Sequence, residues 1–148
     1  MTFQYSFEKI LDMKKKEKEK REQEYHQSVT QFEKMATSLY ELLRQKEEME
    51  DLYEKQMTKG VKIYQLQHNE KLLLHLQNKI SKITQETNVA RDQMYRKEDE
   101  LQSAAIECKR YEKMKEKEKE EYDKLRKQEE LKMMDEISIR NYAFVETR

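Results

Sequence analysis

One spacing constrains this chain more than any other feature. From Leu73 the apolar positions advance in alternate steps of three and four: Leu73, Leu76, Ile80, Ile83, Thr87, Ala90, Met94, Lys97, Leu101, Ala104, Cys108, Tyr111, Lys115, Glu118, Tyr122, Leu125. The alternation holds without a break to Leu125, and the residues between are mostly Lys, Glu, Gln, Asn and Arg. A helix with this pattern has one narrow apolar seam and no second face to bury. It needs a partner seam, so the rest of the chain is read as the source of that partner.

Composition narrows the fold further. Charged residues make up 42% of the 148, hydrophobic ones only 35%, with a mean hydropathy of -1.27. Such values suit disorder when apolar residues are scattered. Here they recur at a period near 3.5, which points to a coiled coil. One glycine and no proline exclude folds built on many tight turns and leave no glycine-rich phosphate loop. Lys+Arg and Asp+Glu are both 31, so the chain lacks the basic excess of a nucleic-acid binder. A single cysteine forbids an intrachain disulfide and fits a reducing compartment. No apolar run exceeds four residues, far too few to span a membrane. Charges begin at Glu8 with no apolar signal region after them. The expectation is a cytoplasmic protein with no integral membrane segment.

In chain order, residues 1–5 read as a lead-in and Ser6 as a helix N-cap, with Glu8 suited to the positive helix end. Phe7, Ile10 and Leu11 form a first apolar anchor, followed by a charged run from Lys14 to Glu24 that reads as a solvated helical segment. A heptad then begins at Tyr25 and continues through Val29, Phe32, Ala36, Leu39 and Leu43; Lys46 and Glu50 interrupt it before Tyr53 and Met57. Lys59 and Gly60 follow. Glycine takes the left-handed conformation at low cost, and a cation suits the negative helix end, so this pair marks a helix C-terminus. The expected fold is all-α: two long helices in an antiparallel coiled-coil hairpin with an overhanging C-terminal tail. Helix one should span about residues 6–59, the turn about 59–63, helix two about 62–140 and the tail 141–148, as a single domain.

Two registers fit the pattern, one in which facing residue numbers sum to 126 and one in which they sum to 133. In the second, Leu11 would face Tyr122 and Lys15 would face Glu118. Leu42, Met49 and Leu72 fall at g positions beside the expected seam, with Tyr40 and Leu74 near them. They either widen the core or form a patch for a partner. Cys108 reads as a buried thiol acting as a small hydrophobe. His26, His68 and His75 lack neighbouring ligands at metal-site spacing. A two-helix hairpin has no cleft to shift carboxylate pKa values, so the expectation is no enzyme, no metal and no cofactor.

The opening Phe3–Lys20, the Lys59-Gly60-Val61 turn and the ending Met134–Arg140 resemble the flagellar export protein family FliJ, and the resemblance runs the length of the chain. It implies a non-enzymatic antiparallel coiled-coil stalk of the flagellar type III export apparatus. In that reading the end with both termini enters the hexameric export ATPase FliI through Phe7, Ile10, Leu11, Tyr122, Ile137 and Ile139. The turn end meets the membrane export gate FlhA through Leu42, Met49, Leu72 and Leu76, while Gln45 and Lys79 depart from the apolar pattern there. Gly60 is the turn residue. Export chaperones are further partners, the hairpin is a monomer, and it sits at the inner face of the cell membrane at the flagellar base. Alternatives are a general export chaperone, a structural coiled coil dimerising in parallel, and the equivalent stalk of a virulence type III system.

Overall fold

In a computed structural model, residues 2–146 are described. They form an all-α, two-helix hairpin: α1 is Glu8–Lys59 and α2 is Ile63–Glu146. The turn residue is Gly60, whose φ of 85° is the only positive one among the described residues. Its amide donates to the carbonyl of Met57 at 3.4 Å, closing α1; Gln65 and Leu66 donate to the carbonyl of Lys62 at 3.1 and 3.2 Å, opening α2. Lys59 ends α1 as the cation in its last turn.

Two details of the helix ends differ from expectation. Ser6 does not cap α1. Its hydroxyl donates to Glu118 at 3.2 Å, while the first turn is closed by Glu8 and Leu11 donating to the carbonyls of Tyr5 and Phe7. Helix two also does not stop near residue 140. It continues to Glu146, because nothing from Arg140 to Glu146 breaks a helix; residues 147 and 148 of the expected tail lie outside the described range.

The chain divides into two compact units, to both of which each helix contributes. One comprises Met1–Lys18 with Ser103–Arg148, the other Glu19–Gln102.

In the Glu19–Gln102 unit, α2 buries Leu76, Thr87 and Ala90 at 7, 3 and 6% exposure. Leu73, Ile80, Ile83, Met94 and Lys97 are half-buried. Opposite them α1 offers Tyr25, Ser28, Phe32, Met35, Leu39, Leu42, Lys46, Met49 and Tyr53, all half-buried. The α1 seam therefore steps three-then-four from Tyr25, and its phase near the turn is Leu42 and Met49. Leu43 is 42% exposed and Glu50 is exposed. The buried Thr87 hydroxyl is satisfied by donating to the Ile83 carbonyl at 2.7 Å.

Polar residues of the same unit cross between the helices as a closed ring. Arg21 meets Glu24 at 3.1 Å and Glu100 at 3.0 Å; Lys97 meets the same two carboxylates at 3.5 and 3.4 Å. Burial opposes the charged form of Glu24, but Arg21 and Lys97 outweigh it and hold its carboxyl below the usual range. The Lys14–Glu24 run is thus not simply a solvated face: Lys14, Lys18, Arg21, Glu22 and Glu24 are half-buried.

The unit with the termini has a small core of Tyr5, Leu11 and Cys108, with Phe3 and Tyr111 packed against it. Lys14 pairs with Glu107 at 2.6 Å and Lys115 with Glu8 at 3.1 Å. The hydrogen bond and charge of Lys14 hold Glu107 below the usual carboxylate range, and the bond to Glu107 raises Lys14.

These pairs fix the register in each unit. Glu118 lies against Ser6 and not Lys15, and Leu11 lies with Cys108 and not Tyr122. The register summing to 133 is therefore excluded. Arg21 with Glu100, Glu24 with Lys97, and Phe32 with Arg91 (ring centroid 5.5 Å from the guanidinium carbon) fall slightly short of 126 as well.

Candidate docking surfaces

Each expected docking surface lies within one unit, so the two are taken separately. In the unit with the termini, Phe7 and Ile10 sit on the first turn of α1 and just before it, at 39 and 37% exposure. They flank an open groove of about 750 Å³ lined by residues 3–10 and Lys115. The Tyr5 and Phe7 rings meet edge to face, with centroids 5.9 Å apart, so the exposed Phe7 borders the core residue Tyr5. Leu11 belongs to a different class. At 1% exposure it is a core side chain, and it can serve a docking surface only by holding its neighbours in place. Tyr122 is half-buried, its ring 5.5 Å from that of Phe3.

Beyond Tyr122 every residue to Glu146 is exposed. The seam spacing continues through Leu125 to Glu129, Lys132 and Glu136, so the side of α2 that faced α1 becomes charged. Apolar residues reappear on the far side of the helix, Leu131, Met134 and Ile137, with Met133 on the flank between that side and the seam. Ile139 remains on the seam side. Residues two apart are separated by about 200° around a helix, so Ile137 and Ile139, at 53 and 68% exposure, cannot enter one flat contact together. Leu131, Met134 and Ile137, spaced in steps of three, share that far face.

In the other unit, Leu42 and Met49 are half-buried members of the seam and not a stripe beside it. Leu76 is a core residue. Leu72 is the one gate-docking candidate with substantial exposure, at 43%. Leu52, at 54%, adds exposed apolar surface that the sequence reading passed over. Next to the turn a small cavity of about 80 Å³ is lined mainly by Tyr53, Met57, Val61, Leu66 and Leu73.

Among the described residues no group of His, Cys, Asp and Glu could hold a metal ion, and no helix is long and apolar enough to cross a membrane. The pKa perturbations follow from ion pairing and burial at the helix contacts. Burial, reinforced by Glu112, raises the Cys108 thiol, and burial with the charge of Glu118 raises the Tyr5 hydroxyl. The Cys108 shift favours the thiol over the nucleophilic thiolate.

Comparison with known proteins now decides the family. The family model described as "Flagellar FliJ protein" matches residues 3–145. The chain belongs to the FliJ family. A FliJ relative, the "Flagellar FliJ protein" of Bacillus subtilis (strain 168), is 35% identical over 142 residues, covering 96% of this chain and 97% of its own. No solved structure matches. The FliJ match covers both helices and the turn, so the turn glycine, the seam and the exposed end of α2 all fall within the family's extent.

Proposed function

We propose that this chain is the non-enzymatic stalk of the flagellar type III export apparatus. Its terminal unit docks in the hexameric export ATPase FliI, and the turn of its other unit meets the export gate FlhA at the membrane. The protein works in the cytoplasm, peripherally attached at the flagellar base, and hands over export chaperones there. A hairpin suits this task without any catalytic group: paired helices hold a docking surface rigidly, and contact with the ATPase ring can make one subunit differ from the next.

The observation that carries the reading is the combination of FliJ membership with an α2 whose end is helical, exposed and apolar on one side. An apolar helix face with no internal cover is the form in which helices enter grooves on other proteins. Phe7, Ile10, Leu131, Met134 and Ile137 are the contact residues on the ATPase side, with Leu11 and Tyr122 supporting them. Leu72 and Leu52 are the contact residues on the gate side, with Leu42, Met49 and Leu76 supporting them.

Deletion of residues 131–148 is expected to abolish stimulation of the purified ATPase while leaving the hairpin folded. Full stimulation by the truncated protein would remove this assignment. A pull-down with ATPase, gate and export substrates in parallel separates a stalk from a general chaperone, because a chaperone retains substrates when both other proteins are absent.

A further inference from the structure

The residues before α1 do not trail into solvent. The Phe3 ring rests near Tyr122, the Tyr5 hydroxyl donates to the Tyr111 carbonyl at 3.2 Å, and Ser6 donates to Glu118 at 3.2 Å. All three attachments are to α2, and Tyr5 is left only 6% exposed. A non-helical segment of this length has no internal ladder to order it, so its position depends on what it touches. Beneath it lie the two most deeply buried side chains of the protein's described part, Leu11 and Cys108.

We propose that residues 2–7 act as a clasp that seals the terminal end of the hairpin. The last layer of a two-helix seam has one side open to water and is where a coiled coil frays. Here that layer is Leu11 with Cys108 and Tyr111, and Tyr5 closes its open side. Phe3 and Ser6 anchor the strap on either side of Tyr5, at the last stretch of α2 that is not fully exposed. The seal needs only the hairpin. That it also steadies the surface offered to the ATPase rests on the proposed function.

Cys108 is the chain's one thiol, so its reactivity reports the seal without any added label. Rates of reaction with an aromatic disulfide reagent are compared in the full-length protein, each referred to the same chain unfolded in guanidinium chloride. Removing residues 2–6 is expected to speed the reaction about tenfold or more, because access then follows local fraying of the end. Phe3→Ala with Ser6→Ala leaves Tyr5 and the core in place and should speed it by a smaller factor, roughly threefold. Unchanged rates in both variants overturn the clasp; should the shortened protein lose helix content, the double substitution alone decides.

The deletion of residues 131–148 leaves the attachments to Tyr111, Glu118 and Tyr122 in place and should leave the thiol rate where it was. A faster rate there would assign the seal to the C-terminal segment and overturn the clasp. ATPase stimulation that survives that deletion sinks the docking assignment and leaves the clasp standing, so the two ideas fail separately.

Discussion

At the scale of single residues, Leu11 and Phe7 show how adjacent apolar positions divide their work. Both read as one anchor in the sequence, yet Leu11 is 1% exposed and Phe7 is 39%. Leu11→Ala should lower stability by about 2–4 kcal/mol, since a buried leucine leaves a cavity in a core of few residues. Phe7→Ala should change stability little and reduce affinity for the ATPase. Chemical denaturation beside a binding titration tests the pair; equal stability losses would place Phe7 in the core as well. The side chains that sequence reasoning placed least well were the leucine pair Leu42 and Leu43. Both are apolar and adjacent, so the seam could pass through either. The choice depends on which flank α2 covers, which periodicity in α1 alone does not contain.

At the scale of elements, α2 was legible and α1 only partly so. The α2 seam read from the sequence is buried or half-buried from Leu73 to Tyr122, the sole apolar exception being Leu125 at its end. Apolar residues dominate there, so period and burial agree. In α1 the seam runs through Lys14, Lys18, Arg21 and Lys46. Long cations cover apolar neighbours with their stems and keep their charge at the edge, so a buried position looks like a solvated one. The register was hidden for the same reason: the ring of Arg21, Glu24, Lys97 and Glu100 helps set it, and hydrophobic matching cannot see ion pairs. The turn was fully legible, because a lone glycine after a cation has one reading. Gly60→Ala tests it cleanly. A Cβ on Gly60 would meet nothing within 4 Å, so only the positive φ resists it. The expected loss is about 1–2 kcal/mol, read as a lower denaturation midpoint with unchanged helix content. No loss would mean that the turn relaxes freely to a negative φ.

At the scale of the molecule, zero formal net charge conceals paired charges that make stability depend on pH. Glu24 and Glu107 are held below their ordinary value of 4.5. A depressed carboxyl contributes stability that is present above its unfolded pKa and is lost as pH falls through the folded one. Lys14 is raised above 10.5, so its contribution is present below that value and is lost as pH rises through the shifted one. The melting temperature should therefore stay nearly level from about pH 5.5 to pH 9.5 and fall in acid. Glu24→Gln with Glu107→Gln should flatten the acid fall, and an unaltered profile would show that other groups govern it. Half-exposed pairs of this kind are still partly screened by salt, so the acid effect should be clearest at low ionic strength.

The hydrophobic surface of α2 changes sides after Leu125, from the flank that α1 covers to the flank it never touches. A protein that grips Leu131, Met134 and Ile137 therefore competes with no contact inside the hairpin. Grasping and unzipping are uncoupled: the handle can be seized, held and let go repeatedly, and the zipper above it stays closed each time.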